Sequence, residues 1–371
     1  MTSVLVAPDK FRGSLSAAEV AEHVLTGLRR TRPALVGAAL PVADGGEGTV
    51  DAAVAAGFRR QERTVSGPDG RPVRAAFAVR ADTAIVELAQ ASGLALLGGN
   101  RAPLTACSGG TGELIRAADA FGVRRIVLGL GGSASTDGGA GIARAFGARL
   151  LDAHGQDLPV GGGALARLAR VDLSGFTRPA AEVVIASDVN NPLLGPAGAA
   201  PVFGPQKGAS AAQLDTLAAG LTRWAEALAA ELGPVPTEQR GAGAAGGAGF
   251  AALALFGARF EPGIQVLLDL LGFPELVAGV DLVITGEGSL DEQTLRGKVP
   301  AGVAAAAAAY QVPTVAVAGR CTLSATQLRG IGLRAAYALT DLVADERRCL
   351  REAAPLLTQL AATIPLPPQD Y

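Results

Sequence analysis

Residues 126–146 read IVLGLGGSASTDGGAGIARAF, an apolar run followed by a glycine-rich loop and then a helix-like stretch. The continuous apolar run is typical of a strand that is buried on both faces. The same unit recurs along the chain in VLVAPD (4–9), ALPVADGG (39–46), VVIASD (183–188), LVITGEG (282–288), VAVAG (315–319) and AYALTD (336–341). Buried strands that alternate with helices predict an α/β fold with parallel sheets, in which ligands bind beyond the carboxyl ends of the strands.

Length and charge narrow the choice of protein class. The chain has 371 residues, 49% of them hydrophobic and 18% charged, with a formal net charge of −2. At roughly 100–200 residues per domain, this length predicts two domains. Residues 62–82 alternate polar and apolar side chains around a Gly-Pro-Asp-Gly turn, which predicts a β-hairpin at a crossing between domains. Sparse, balanced charge and 4% aromatic residues argue against a nucleic-acid-binding surface.

Signals for export, membrane insertion and disulfide bonding are weak. The apolar run at the N-terminus is too short for a signal peptide, and the uncharged stretches 241–258 and 299–319 are dominated by alanine and glycine. Cys107, Cys321 and Cys349 lie far apart and form no CxxC pair, which argues against a disulfide framework or a zinc site. We therefore expect a cytoplasmic protein with no membrane or nucleic-acid partner.

The chain lacks the residues that several common kinds of catalytic or binding site require. Only two histidines, His23 and His154, are present, which argues against a Ser-His-Asp hydrolase or a multi-histidine metal centre. Gly297-Lys298 has neither the upstream glycine nor the following Ser or Thr of a Walker A loop. Residues 241–246, GAGAAG, match GxGxxG but follow no strand, so they fail the context of a dinucleotide-binding loop.

The loop 129–139 is the strongest candidate for an anion site. Its glycines let a phosphate approach the backbone, and its hydroxyls and amides at a helix start could hold phosphate oxygens. Asp137 within it is a candidate ligand for Mg²⁺ or for a substrate hydroxyl. An ordinary strand-to-helix turn is the alternative interpretation. Residues 107–113, CSGGTGE, are equally typical of a second anion loop and of a capped helix start.

Charged side chains follow several other predicted strands. Asp188 ends VVIASD and suits a base or a metal ligand, whereas Lys207 in FGPQKG suits a transferring phosphoryl group or is an exposed turn lysine. Further charged residues at predicted strand ends are Asp9, Lys10, Arg12, Asp44, Glu47 and Glu287. Cations suit carboxylates and phosphates, whereas acids suit hydroxyls and Mg²⁺. A small polyhydroxy acid together with a nucleotide would satisfy both sets.

The sequence closely resembles the type-1 glycerate kinase family of bacteria. The resemblance rests on APDKFRGSLSA (7–17), PVADGGEGT (41–49), GLGGSASTDGGAG (129–141), SDVNNPL (187–193), FGPQKGA (203–209), EPGIQVLLD (261–269) and LVITGEGSLDEQTLRGK (282–298). It implies ATP-dependent, Mg²⁺-assisted phosphorylation of D-glycerate, usually at the 2-hydroxyl, with 3-phosphoglycerate as the alternative product. It also implies a flavodoxin-like α/β domain built from residues 1–68 and 278–371, and a second α/β domain, 69–277, inserted into it.

The resemblance places the active site in the cleft between the two domains, and a homodimer is a candidate assembly. From the chemistry of the side chains we predict that Asp188 or Asp137 accepts the glycerate hydroxyl proton and that the other helps to place Mg²⁺. The remaining predicted roles are phosphoryl stabilisation by Lys207, glycerate binding by Lys10, Arg12, Asp44 and Glu47, nucleotide phosphate binding by Gly131, Gly132, Ser133, Ser135, Gly286 and Gly288, and Mg²⁺ binding by Asp188 and Glu287. The resemblance also implies a role in glyoxylate, tartronate or glucarate breakdown. Two other classes stay open: an oxidoreductase of the same pathway and a non-catalytic sensor of a sugar acid and a nucleotide.

Overall fold

The computed structural model describes residues 2–367. The strands are β1 (Ser3–Pro8), β2 (Val36–Ala39), β3 (Arg59–Ser66), β4 (Pro72–Arg80), β5 (Thr83–Glu87), β6 (Arg125–Gly129), β7 (Arg149–Leu151), β8 (Arg170–Asp172), β9 (Glu182–Ala186), β10 (Arg259–Glu261), β11 (Leu282–Leu290), β12 (Thr314–Cys321) and β13 (Leu333–Ala338). The α-helices are α1 (Ala17–Thr31), α2 (Thr49–Ala55), α3 (Ala89–Ser92), α4 (Gly109–Asp119), α5 (Ala140–Ala145), α6 (Ala199–Phe203), α7 (Ala211–Leu232), α8 (Ala244–Phe256), α9 (Gly263–Leu271), α10 (Phe273–Val277), α11 (Val299–Ala308), α12 (Ala325–Gly330), α13 (Glu346–Arg351) and α14 (Ala353–Ala361).

The chain folds into two compact units. The first comprises the residues up to Asp44, Asp51–Gly57 and the residues from Ile264 on, and the second comprises Gly45–Val50 and Phe58–Gly263. Both units are α/β and the first is built from both ends of the chain, which confirms the predicted fold class. The boundaries predicted for independent domains, 1–68 with 278–371 and 69–277, stay a prediction.

The first unit contains a five-stranded parallel sheet in the order β13-β12-β11-β1-β2. Counted along the chain within this unit, the order is 2-1-3-4-5, which is that of flavodoxin-like folds. In such sheets the strand order reverses between the first and third strands, here β1 and β11, and ligands bind in the crevice at that point. Pro8 lies opposite Gly286 in this pair, so residues after Pro8 and Gly286 leave the sheet beside each other.

Helix α1 begins with a capping box, which the sequence predicts because Ser16 is followed three residues later by Glu19. The Ser16 hydroxyl accepts a hydrogen bond from the Glu19 amide, and the Glu19 carboxylate accepts one from the Ser16 amide. These two bonds satisfy amides that the first turn of a helix leaves unpaired. Ser210 and Gln213 start α7 in the same way, also as the sequence predicts.

The second unit contains a six-stranded mixed sheet in the order β10-β9-β6-β5-β4-β3. β3 and β4 form the predicted hairpin, and β5, β6, β9 and β10 run parallel to one another. Glu87, Gly129 and Ala186 share one level across β5, β6 and β9, at the carboxyl ends of these strands. The loops that follow β6 and β9 contain residues that the sequence predicts for the site, whereas the end of β5 contains none.

Two elements differ from the sequence-based expectation. β11 continues through Gly286 to Leu290, because its pairing with β12 persists through the stretch predicted as a loop. The helix-like stretch after the 129–139 loop ends early: α5 stops at Ala145, and Gly147 has a φ of +96°, which suits glycine and ends the helix. Among the described residues, no helix combines the length and hydrophobicity that a membrane span requires.

Candidate active site

In the first unit, acidic residues converge at the point where the strand order reverses. Asp9 follows β1, Glu287 lies on β11, and Asp44 follows β2 on the other side of β1. The Asp9 carboxylate accepts the Lys10 amide at 2.7 Å. Burial, and then the neighbouring carboxylates of Asp44 and Glu287, raise the pKa of Asp9 to about 7. This crevice therefore holds a carboxyl group that changes charge near neutral pH.

Glu287 is buried and engaged by two neighbours. Its Oε1 accepts the Thr294 hydroxyl at 2.5 Å, and its Oε2 lies 3.3 Å from the Lys298 ammonium. Burial raises the pKa of Glu287, whereas the bonds from Thr294 and Lys298 oppose that shift. Gly286, which the sequence predicts for nucleotide binding, lies inside β11, where an added Cβ would meet the Val317 carbonyl oxygen at 2.5 Å.

In the second unit, the loop after β6 crosses the segment 45–50 at close range. The Gly131 amide donates to the Gly45 carbonyl at 3.1 Å. A Cβ at Gly129 would lie 2.4 Å from the Gly45 oxygen, and one at Gly131 would lie 2.4 Å from the Gly46 Cα. Close packing of two backbones therefore requires glycine at both loop positions, independently of any phosphate.

Asp137 lies in the interior of this loop, fully buried, and joins the starts of two helices. Its Oδ2 accepts the amide and hydroxyl of Ser108, before α4, at 2.9 and 2.8 Å, and the Gly141 amide in α5 at 3.2 Å. Its Oδ1 accepts the Gly139 amide at 3.2 Å. The carboxylate thus occupies the position that a bound anion would take at these amides. Ser108 makes no side-chain cap on α4, but Cys107 Sγ accepts the Gly109 amide and Ser92 Oγ accepts the Thr111 amide, both at 3.3 Å. Because the protein itself engages these first amides, the contacts favour the helix-start interpretation of residues 107–113 over an anion loop.

We expect Asp137→Asn to lower the free energy of unfolding by about 2–4 kcal/mol, because the amide group of asparagine would face at least one of these N–H donors. Urea denaturation monitored by circular dichroism would measure this change. Asp152→Asn is a matched control, since Asp152 accepts backbone amides in an exposed turn. Unchanged stability together with lost activity would instead favour a catalytic role for Asp137.

Lys207 is buried, with 2% of its surface exposed, so it is not the exposed turn lysine considered as an alternative above. Its ammonium group donates to the Ser135 carbonyl oxygen at 2.5 Å. Burial lowers the pKa of Lys207 to about 7, and the nearby Asp137 carboxylate opposes that shift. Within residues 2–367, the buried hydroxyls of Ser135 and Thr136 have no hydrogen-bond partner. A cation beside unsatisfied hydroxyls suits an anionic group with several oxygen acceptors.

Asp188 lies at the carboxyl end of β9, half-buried, next to the strand that leads into the 130–139 loop. Its Oδ1 accepts the Gly263 amide at 3.2 Å. The loop after Asp188 is also held in place, because the Arg240 side chain donates a hydrogen bond to the side-chain oxygen of Asn190. Asp188 is thus the more accessible of the two predicted base candidates.

The remaining predicted side chains divide between the units. Lys10 is half-buried and Arg12 exposed in the first unit, where Gly288 packs against the backbone of residues 11 and 12. Glu47 is exposed and belongs to the segment 45–50 of the second unit. Ser133 is buried, and Gly132 lies in the same loop with a φ of +73°.

The described side chains offer few ligands for a metal ion. Nowhere in residues 2–367 do three or more His, Cys, Asp or Glu side chains group closely enough to hold a metal ion. Mg²⁺ in nucleotide sites needs only one or two carboxylates, since water and substrate phosphates supply the other oxygens. Half-buried Asp188 fits that role, whereas Lys298 and Thr294 already engage Glu287.

Comparison with known proteins identifies the family. A sequence model described as "Glycerate kinase family" matches residues 4–366. The chain belongs to this family. A Bacillus subtilis (strain 168) protein named "Glycerate kinase" is 43% identical over 367 residues, with 97% of this chain and 96% of that protein covered. An Escherichia coli (strain K12) protein named "Glycerate 2-kinase" is 42% identical over 356 residues, with 94% and 93% covered.

A solved structure agrees with this assignment. The structure titled "Crystal structure of putative glycerate kinase 2 from Salmonella typhimurium LT2" has a TM-score of 0.82 and 42% identity, and the match covers 97% of this chain and 96% of that one. The predicted family and enzyme class, a glycerate kinase, are thereby confirmed. Neither the oxidoreductase nor the sensor interpretation is favoured.

One strand-end acid, Glu87, is not among the residues that the sequence predicts for the site. Glu87 ends β5 and is fully buried beside Gly129 of β6. The signal was present, since Ala84–Val86 is an apolar run followed by an acid, like VLVAPD and VVIASD. Because this apolar run is short and follows directly on the predicted hairpin, it does not stand out as a separate strand that ends in an acid.

Proposed function

We propose that the chain transfers the γ-phosphoryl group of ATP to the 2-hydroxyl of D-glycerate, yielding 2-phosphoglycerate and ADP. The observation that carries this proposal is the near full-length similarity to the Escherichia coli protein named "Glycerate 2-kinase". The side chains support it, because the second unit combines a buried cation, Lys207, with a half-buried carboxylate at a strand end, Asp188. Phosphoryl transfer depends mainly on positioning and charge stabilisation, which side chains of these types can supply.

In the proposed step, Asp188 accepts the proton of the 2-hydroxyl. The hydroxyl oxygen forms a bond to the γ-phosphorus, and the bond from that phosphorus to the bridging oxygen breaks, with its electron pair leaving on ADP. We assign the base role to Asp188 rather than Asp137, because Asp137 is fully buried and accepts four hydrogen bonds from the protein.

Lys207, Ser133 and Ser135 bind phosphate oxygens in this proposal. Lys207 and the Ser135 hydroxyl are buried, and a cation away from water stabilises developing negative charge far more than an exposed one does. Gly131 has a packing reason to be glycine, so its residue type adds no support for a phosphate contact.

Glycerate binding is assigned to Lys10 and Arg12, which suit its carboxylate, and to Asp44 and Glu47, which suit its hydroxyls. Mg²⁺ neutralises the nucleotide phosphates when it is bound. Asp188 is the side chain that fits an Mg²⁺ ligand, and this role is an alternative to its proposed role as the base. Placement of the site in an interdomain cleft, the homodimer and the cytoplasmic location stay predictions.

Phosphorus NMR of the product tests the position of transfer. A phosphate on carbon 2 couples to one vicinal proton and gives a doublet, whereas a phosphate on carbon 3 couples to two and gives a triplet. We expect a doublet after incubation with ATP, Mg²⁺ and D-glycerate, together with ADP release that requires glycerate. A triplet would establish the alternative product, 3-phosphoglycerate, and no glycerate-dependent ADP would refute the proposed activity.

A further inference from the structure

The segment Gly45–Val50 is held in the second unit at both of its ends. At its start, Gly45 accepts the Gly131 amide, and its Cα faces the Ala186 carbonyl so closely that a Cβ would lie 2.4 Å from that oxygen. In its middle, the Thr49 hydroxyl donates to the Gly46 carbonyl at 2.6 Å and closes a turn. Glu47 is the exposed side chain at the tip of this turn.

The far end of the segment is held by a buried carboxylate. Glu87 Oε2 accepts the Val50 amide at 3.0 Å, and Oε1 accepts the Gln90 side-chain amide at 3.5 Å. Glu87 has no exposed surface, so desolvation disfavours its charged form unless hydrogen bonds compensate. Val50 lies in the first turn of α2, whose amides have no partner within the helix, so Glu87 fixes the junction between the segment and α2.

We propose that Glu87 is a positioning residue for glycerate binding, which acts through the turn 45–50 on Glu47. This inference rests on the proposed function, in which Glu47 contacts a substrate hydroxyl. Glu87 does not touch the substrate. It fixes the end of the turn opposite the Gly45 anchor, so that the Glu47 carboxylate holds one orientation before glycerate binds. Preorganisation of this kind lowers the entropy cost of binding.

Glu87→Gln tests the proposal with little change in volume. Glutamine keeps one acceptor oxygen, so either Val50 or Gln90 would face an N–H donor in place of an acceptor. We expect KM for glycerate to rise about tenfold and KM for ATP to stay close to that of the control. The melting temperature should fall, as for Asp137→Asn, because Glu87 is equally buried, so the difference between the two KM values rather than stability carries the test. Glu113→Gln is that control, because the Glu113 carboxylate accepts the Ser66 amide at 2.9 Å in the same unit, away from the turn.

A double-mutant cycle separates positioning from general structural damage. If Glu87 acts through Glu47, then Glu87→Gln should add little to KM for glycerate in a Glu47→Gln background. Equal KM increases in both backgrounds would overturn the proposal, as would a wild-type KM in both Glu87→Gln and Glu87→Ala. A wild-type protein that releases no glycerate-dependent ADP would refute the proposed function itself, which is a different outcome.

Discussion

Replacement of Lys207 by methionine is expected to lower kcat by about 10²–10³-fold and to stabilise the folded protein at neutral and acidic pH. The catalytic effect follows because the buried ammonium group is the cation we assign to the transferring phosphoryl group, and loss of one such donor costs this much in comparable sites. Steady-state ADP release at saturating ATP and glycerate would measure it. A kcat near that of the wild type would remove Lys207 from the chemistry.

The stability effect has a definite sign. The pKa of Lys207 is lowered from 10.5 to about 7 in the folded chain, chiefly by burial. Between these values the unfolded chain holds a proton that the folded chain releases, so the free energy of unfolding rises with pH across this window. Below pH 7 the folded chain must keep a desolvated ammonium group. The methionine variant should therefore be more stable than the wild type below pH 7, and this difference should shrink towards pH 10.

The pH dependence of activity follows from the same group. The pH dependence of kcat/KM reports the ionisation of groups in the free enzyme. If the ammonium form of Lys207 is the active one, kcat/KM should therefore fall above about pH 7, where Lys207 loses its proton. Bound phosphates favour the charged lysine, so kcat should hold to higher pH. In the Lys207→Arg variant the arginine side chain stays charged throughout this range. Whatever kcat/KM this variant has at pH 7 should therefore not fall at higher pH. A parallel fall in the arginine variant would assign this limb to another group.

Short-range sequence patterns predicted the elements of this fold well. The buried strands, the hairpin at 62–82 and the capping boxes at Ser16 and Ser210 each depend on residues a few positions apart. The flavodoxin-like assembly of both chain ends came from the family resemblance rather than from these patterns. Pattern alone does not say that β1 pairs with β11, since those strands lie more than 270 residues apart.

The candidate site was predicted less completely, because its interactions connect distant residues. Asp137 is a suitable acid in a glycine-rich loop, but its contact with Ser108, 29 residues earlier, decides its structural role. The glycines at 129 and 131 indicate a close approach, yet the partner is backbone at 45–46 rather than an identified phosphate. Burial of Lys207 against Ser135, 72 residues away, has no local signature either. Residue type suggested the chemistry, whereas long-range packing determines which group is placed to perform it.

Replacement of Asp188 by asparagine is expected to lower kcat by about 10²–10⁴-fold, which is the usual contribution of a positioned general base. The substitution keeps the side-chain size and one oxygen for the Gly263 amide, so the melting temperature should change little. Initial rates at saturating substrates would measure kcat, and Asp215→Asn, on α7, is a surface control with the same change in charge.

Titration with Mg²⁺ distinguishes the base role of Asp188 from the metal-ligand role. A base acts on the glycerate proton at every Mg²⁺ concentration, so excess Mg²⁺ should not restore kcat in the asparagine variant. A metal ligand would instead show a raised requirement for Mg²⁺ with kcat recovered at saturation, since loss of one carboxylate weakens binding of the ion. Recovery of this kind would transfer Asp188 to the metal site. A wild-type kcat at all Mg²⁺ concentrations would exclude both roles.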